Sequence, residues 1–405
     1  MNLFHPRTFS TDWEVMVVDK LDRCVGTEKL QAFAGFLSRE YDLPINVDWD
    51  SLEFALGINA SFEQLWERIR TVTDRATQIV REFDLDLFPA AAHPVRPVLV
   101  GSHVHVGTLH DETAGLHLEN QMLRYAPAFA ALAANSPVSR GRRGEFKSYR
   151  VRDRAYGCTV PVTIRDPQLA QNSWGNDASA KLYGAPTLEV RICDCTSSRR
   201  LLAELAAFIA AFVHHRGTQE LESHYTPGDY RDCLTNRWAA ARYGLQATFH
   251  WNGRARPVAE VLGEMLDGCG EELRVLGVKR SDLSLLNTMI EKRVGQADFV
   301  LDLAERYPDP WCLASAYAKL IRHWSVFDAY LESAAALDPV PALDEAAILA
   351  EHRAIIGEGT HFYRSREAMH YPPPVADEII ARMLQQGMIR KEVTQNRGIL
   401  LSRIS

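Results

Sequence analysis

The chain has 405 residues, 46% hydrophobic and 24% charged, with 45 Lys plus Arg against 52 Asp plus Glu for a net charge of −7. This length supports a large core, as one big domain or two, and the composition is that of a soluble globular protein. The acidic balance argues against a nucleic-acid partner. The seven cysteines, an odd number without a Cys-x-x-Cys pair, fit a reducing compartment. No stretch reads as a signal peptide or a membrane span, so a cytoplasmic location without membrane contact is expected.

In chain order, β-branched content and alternation predict a strand over 10–19, then a short helix over 28–41 and a second strand around 50–56. Residues 61–83 form an amphipathic helix with Ser61 as N-cap: Phe62, Leu65, Ile69, Val72, Ala76, Ile79 and Phe83 recur at helical spacing. A strand at 98–107 follows, then a helix at 116–134 crossed by Pro127, where a kink is expected. A loop rich in basic and small residues spans 135–154, with strands near 158–164 and at 186–194. From 196 to about 358 the pattern is mostly helical, with a turn at Trp251-Asn-Gly253, and 375–405 reads as a helix plus a short strand. Strands first and helices later indicate an α+β fold.

The chemistry lies in the strands. Side chains alternate, so His103 and His105 in Gly101-Ser-His-Val-His-Val-Gly107 share one face, their Cα atoms about 6–7 Å apart. The bordering glycines leave room for a group to approach the backbone. Asp12 and Glu14 share a face of the first strand, Glu53 stands among apolar neighbours in the second, and Glu189 and Arg191 share a face of the last. Carboxylates gathered on one sheet face repel and raise each other's pKa. A hard divalent cation relieves this, and Mg²⁺ or Mn²⁺ suits such a donor set.

The loop running from Ala134 to Arg150, with Arg140, Lys147 and glycines, can fold over polyphosphate. Arg237 and Arg242, five residues apart on a helix, differ by about 140° in direction and meet in one pocket only if a helix end intervenes. There is no P-loop and no Gly-x-Gly-x-x-Gly after a strand, so any ATP must be held by cations and arginines.

His103-Val-His105-Val-Gly107, Ala134-Asn-Ser-Pro137 with Arg140-Gly141, Ser148-Tyr-Arg150, Tyr183-Gly184, Thr187-Leu-Glu-Val-Arg191 and Asn236-Arg-Trp-Ala-Ala-Ala-Arg-Tyr-Gly244 occur in this order. The set resembles the glutamate–cysteine ligase type 2, or carboxylate–amine ligase, family over roughly residues 8–355. The strand motifs also echo glutamine synthetase. The resemblance implies a glutamine-synthetase-like catalytic fold, a curved and mainly antiparallel sheet flanked by helices, that forms an amide through an acyl phosphate using ATP and Mg²⁺ or Mn²⁺. By position, Asp12, Glu14, Glu53, His103 and Glu189 would be metal ligands. His105 would approach the nucleotide phosphates, along with the loop cations Arg140 and Lys147. Arg150 and Arg191 would steady the transferred phosphoryl group, and Arg237 and Arg242 would hold nucleotide or substrate.

Three departures stand out. Asp12 replaces the first glutamate of a usual Gly-x-Glu-x-Glu strand, one methylene shorter. Trp174-Gly-Asn-Asp-Ala-Ser179 has Asp177 where the family's Trp-Asp-x-Arg-Pro-Ser has its arginine, an anion that would repel a carboxylate ligand there. Ala185 and Pro186 are inserted after Gly184.

The expected organisation is a catalytic domain over 1–358 and an extension over 359–405. The expected partners are a small-molecule carboxylate and an amine, with a homo-oligomer possible. Two other functions stay open: a non-catalytic relative binding nucleotide or amino acid, supported by Asp12 and Asp177, and a metal-dependent amidohydrolase, weakened by the long helical half.

Overall fold

The alternation in residues 10–19 becomes β1 (Phe9–Asp19), the strand on which the sheet is built. The computed structural model describes residues 8–404 except 20, 22, 42–44, 49, 108–111, 154–176, 182–185, 220–226, 345, 348, 351–352, 354–359, 362–372 and 395–397. The strand expected near 158–164, together with Trp174, Tyr183, Gly184 and Ala185, lies outside the described residues.

Among the described residues a seven-stranded sheet joins β1 to β2 (Ile45–Asp48), β3 (Ser51–Ala55), β4 (Leu85–Phe88), β5 (Ser102–Val106), β8 (Ala178–Lys181) and β9 (Thr187–Val190). Its path runs β2-β3-β1-β5-β9-β8, with β4 also paired to β1, and every pairing is antiparallel. The register decides which side chains share a face. Glu14 pairs with Glu53 and Asp12 with His103. Ser10, His105, Glu189 and Ser179 form one row across four strands. Trp13, Val15, Phe54, Val104, Leu188 and Val190 take the opposite face and are buried.

That apolar face is closed by helices. α3 (Glu112–Ala133) packs on β8 and β9, and α5 (Arg199–Thr218) packs on β1 and β5. The sequence shows one apolar stripe on α5, yet nearly its whole circumference is buried, so it is a core helix. α1 (Thr27–Tyr41) packs beside β2, and α2 (Phe62–Glu82) follows the predicted pattern, its N-terminus capped by the Ser61 hydroxyl accepting from Gln64 N. α3 starts four residues earlier than expected and remains helical across Pro127.

The region read as a loop over 135–154 is partly ordered structure: a small hairpin of β6 (Val138–Ser139) and β7 (Arg142–Arg143), then a one-turn helix, α4 (Tyr149–Asp153). α6 (Pro227–Tyr243) leads into β10 (Thr248–Trp251) and β11 (Arg254–Pro257), and the expected Asn-Gly turn joins those strands. Asn252 and Gly253 have φ of 52° and 72°, the left-handed pair a two-residue hairpin needs.

Among the described residues six further helices follow: α7 (Val258–Gly268), α8 (Gly270–Val275), α9 (Ser284–Lys292), α10 (Gln296–Arg306), α11 (Pro310–Ile321) and α12 (Val326–Ser333). Towards the C-terminus, α13 (Pro373–Gln385) precedes a hairpin of β13 (Ile389–Thr394) and β14 (Gly398–Arg403), and β12 (Thr360–His361) pairs with β14. The sequence predicts one short strand there; the structure has two of six residues each. No helix among the described residues is long and apolar enough to cross a membrane.

Candidate active site

The polar face of the sheet gathers the residues singled out in four separate segments. One ligand-capable atom from each of Glu14, Glu53 and His103 lies within 4.8 Å of the other two. Glu14 and His103 are almost wholly buried, and His103 Nε2 lies 3.6 Å from Glu14 Oε1. Burial, assisted by the positive Arg191 and Arg150, holds the His103 pKa well below its ordinary value, so the ring is neutral and has a lone pair to offer. Burial also raises the Glu53 carboxyl to about 7, with the charges of Asp12 and Asp48 adding to it.

A second group forms around His105. Its Nε2 is 2.9 Å from Asp12 Oδ2 and 3.4 Å from Glu189 Oε1, and its Nδ1 is 3.2 Å from Thr187 Oγ1. Burial opposes a charge on this ring, but the carboxylates of Asp12 and Glu189 beside it prevail and push its pKa up to about 9. Glu189 links the two groups, with Oε1 also 3.5 Å from His103 Nδ1. Burial works against its charge, yet the charged His105 and Arg191 hold it well below the usual carboxylate range. Arg191 Nη1 donates to Glu189 Oε1 at 2.8 Å.

Arg150 reaches this face from α4. Nη1 and Nη2 donate to the carbonyls of Ile192 and Arg191, each at 3.0 Å, and Nη2 lies 3.4 Å from His103 Nε2. The segments flanking Arg150 explain its placement. Buried Asp194 accepts from the Asn135 amide and from the Ser136 and Ser148 hydroxyls at 2.7–3.0 Å, and those hydroxyls accept the amides of Arg150 and Val151. Asn135-Ser136 and Ser148 thus fix the helix that carries Arg150.

Four expected binding residues are placed or paired differently. Lys147 is buried, its ammonium 2.6 Å from Asp298 Oδ1 and 2.8 Å from Gln246 Oε1, which commits it to the helical layer. Arg140 is exposed at the tip of the β6–β7 hairpin with a φ of 53°. Arg242 lies 5.8 Å from the Phe146 and Tyr243 rings, whereas Arg237 turns towards the sheet, so the two diverge as helical geometry demands. Arg237 does not wait open for an anion: Nε and Nη2 donate to the two carboxylate oxygens of Asp177 at 2.7 and 3.1 Å, and Nη1 donates to the Val151 carbonyl at 2.8 Å. Asp177 therefore neutralises Arg237 within a buried pair. The Asp177 carbonyl in turn accepts the amide of Arg191 at 2.9 Å, which sets the pair beside the Glu189–Arg191 end of the face.

Lys181 is the residue that sequence reasoning missed. Its Nζ lies 3.0 Å from Glu189 Oε2. The alternation in Asp177-Ala-Ser-Ala-Lys181 was the available signal, and it places Asp177, Ser179 and Lys181 on one strand face.

Comparison with known proteins gives the family. The family described as glutamate-cysteine ligase family 2 matches residues 95–153 and 156–303, over half of the chain. The chain belongs to glutamate-cysteine ligase family 2. By that membership it is an ATP-dependent carbon–nitrogen ligase. The matched region contains His103, His105, Arg150, Glu189, Arg191 and Arg237, while Asp12, Glu14 and Glu53 precede it.

Several curated relatives carry the name "Putative glutamate--cysteine ligase 2" or a numbered variant of it, and two of them illustrate the match. The protein from Ectopseudomonas mendocina is 28% identical over 302 residues, 60% of this chain and 76% of the relative. That from Nocardia farcinica is 25% identical over 335 residues, 66% and 85% of the two chains. Among solved structures, the bifunctional glutathione synthetase from Pasteurella multocida aligns with a TM-score of 0.55 at 12% identity. That alignment covers 80% of this chain and only 54% of the bifunctional one. The glutamate–cysteine ligase from Francisella tularensis, solved in complex with AMP, aligns with a TM-score of 0.50 at 11% identity and covers 86% and 98% of the two chains. The α+β, mainly antiparallel architecture is the glutamine-synthetase-like ligase fold expected from the sequence.

Proposed function

We propose that this ligase activates a small-molecule carboxylate with ATP in the presence of Mg²⁺ or Mn²⁺, and passes the resulting acyl group to an amine. The observation carrying this reading is the convergence of Glu14, Glu53 and His103 on one sheet face, with Asp12 and Glu189 beside them. A neutral imidazole among crowded carboxylates, one of them raised to about 7, is a donor set suited to a hard divalent cation. Such a cation supplies charge neutralisation for phosphate oxygens.

The protein's own groups have separable tasks. The charged His105, held by Asp12 and Glu189, presents positive charge towards the nucleotide phosphates. Arg150 and Arg191 bracket the position of the transferred phosphoryl group, whose spread negative charge needs fixed positive partners. A carboxylate oxygen of the acid attacks the γ-phosphorus as the bond to the ADP oxygen breaks, giving acyl phosphate and ADP. The amine nitrogen then attacks the acyl carbon, the bond to phosphate breaks, and the nitrogen gives up its proton. Excluding water during this second step protects the acyl phosphate from hydrolysis.

Asp177 bears on the acid. With Arg237 paired to Asp177, that guanidinium is already neutralised before a second carboxylate on the substrate could reach it. The reading therefore favours acids other than an amino dicarboxylate such as glutamate.

An ATP-dependent screen of acid and amine pairs, read as ADP released and product mass, tests this function. Turnover with at least one pair is expected, and Glu189→Gln and Arg191→Ala are expected to abolish it with the fold intact. ATP binding with no turnover for any pair would instead support a regulatory, non-catalytic relative.

A further inference from the structure

The glycine at the head of the His-x-His strand has a neighbour that its sequence position does not reveal. A Cβ built on Gly101 would clash with Arg150 Nη2 and lie 2.6 Å from Cζ and 3.0 Å from Nε, so the guanidinium lies across the backbone where a side chain would project. Glu14 N donates to the Gly101 carbonyl at 3.1 Å, and the Gly101 amide donates to Glu14 Oε2. Gly101 is two residues before His103, on the same strand face. One glycine thus touches a metal-ligand candidate through its peptide and admits Arg150 through its missing side chain. Arg150 is 5% exposed, and its Nε is buried with no hydrogen-bond partner among the described residues. An orphaned donor of this kind carries a cost, consistent with a guanidinium laid flat over a peptide to bring its other nitrogens to His103.

We propose that Gly101 is a positioning residue of this ligase: the absence of a side chain there holds the Arg150 guanidinium against His103 and the Glu14 end of the site. The inference rests on the proposed function for its catalytic consequence but not for its geometry. What a methyl group would meet is the far end of a flexible side chain and not backbone, so Gly101→Ala should fold, with Arg150 giving way.

The experiment compares the full-length wild type with Gly101→Ala, Arg150→Ala and the double variant. Thermal unfolding should show all four folded, and a crystal structure of Gly101→Ala should show the Arg150 guanidinium displaced from His103. ADP formation should fall about 100-fold in each single variant, the range for losing one preorganised charge-stabilising donor. The double variant should be no worse than Arg150→Ala alone, because the glycine acts only through that arginine. Mn²⁺ affinity measured without nucleotide should change by the same factor in Gly101→Ala and Arg150→Ala. An undisplaced Arg150 in Gly101→Ala, or losses that multiply in the double variant, would overturn the proposal. A wild type that forms no ADP would sink the ligase reading, while the crystal structure and the Mn²⁺ titration would still decide the role of Gly101.

Discussion

Asp177 shows how one residue can reset the meaning of another. Read alone, Arg237 is a cation available to substrate; in the structure it is bidentate to Asp177 and both are buried. Removing one partner of a buried ion pair leaves the other charge uncompensated, at a cost of about 3–5 kcal/mol. Asp177→Asn is therefore expected to lower stability, and an acid substrate bearing a second carboxylate should restore it by pairing with Arg237. The same substitution should shift kcat/KM by about 10-fold, equivalent to roughly 1.4 kcal/mol, in favour of such acids over monocarboxylates. Calorimetry with and without the acid, alongside competition between the two acid classes, provides the measurement. An unchanged preference would reduce the pair to a structural clamp. The substitution itself was visible in the sequence, but its partner was not: sixty residues separate Asp177 from Arg237.

At the level of elements, β1 carries the greatest burden. Its two faces do different work: Asp12 and Glu14 face the site, and Trp13 and Val15 anchor the strand to the core. Trp13 is fully buried, packs against the Phe54 and Trp324 rings at 5.9 and 5.4 Å, and donates from Nε1 to the Thr196 carbonyl at 3.2 Å. Trp13→Ala should therefore cost about 3–5 kcal/mol in urea unfolding and weaken metal binding with it, since Asp12 and Glu14 flank the lost anchor. Elements with strong periodicity were legible: β1, α2, β5 and β9 follow their patterns, and the Asn252-Gly253 turn stands where expected, although the strands it joins, β10 and β11, fall in a stretch read as mostly helix. The short strands β2, β4, β6 and β7 were not, because four residues or fewer hold too few alternations to stand out. They exist because neighbouring strands offer them hydrogen-bonding edges.

Over the whole molecule, the titratable groups of the site make stability and metal binding depend on pH. Glu53, raised to about 7, keeps its proton in the folded protein at pH values where the unfolded chain, ordinary near 4.5, has lost it. His105, raised to about 9, likewise keeps a proton that the unfolded chain loses near 6.5. Glu53 and His105 each take stability from the metal-free protein as pH rises, Glu53 between about 4.5 and 7 and His105 between about 6.5 and 9, whereas His103, kept neutral by the fold, adds stability as pH rises towards about 6.5 and offsets the Glu53 slope. A divalent cation at Glu53 replaces that proton, so Mn²⁺ affinity should rise with pH and level off above about 7. Thermal unfolding and Mn²⁺ titration across pH 5–9 test both slopes. Glu53→Gln should flatten the metal-affinity slope, and His105→Gln should flatten the stability slope above pH 6.5. A metal affinity independent of pH would exclude Glu53 as a ligand.

The sequence alone established the fold class, the family resemblance and the alternating positions of Asp12, Glu14, His103, His105, Glu189 and Arg191, because side-chain alternation is a local property of each strand. It also exposed Asp177 and the glycine before the histidines as features needing explanation. Only the tertiary structure decided the rest: that the two carboxylate–imidazole groups meet through Glu189, that Lys147 belongs to Asp298, that Arg237 is already neutralised, and that Arg150 lies over Gly101. Those outcomes depend on strand register and on contacts between segments dozens to more than a hundred residues apart. No periodicity within a segment encodes such distances.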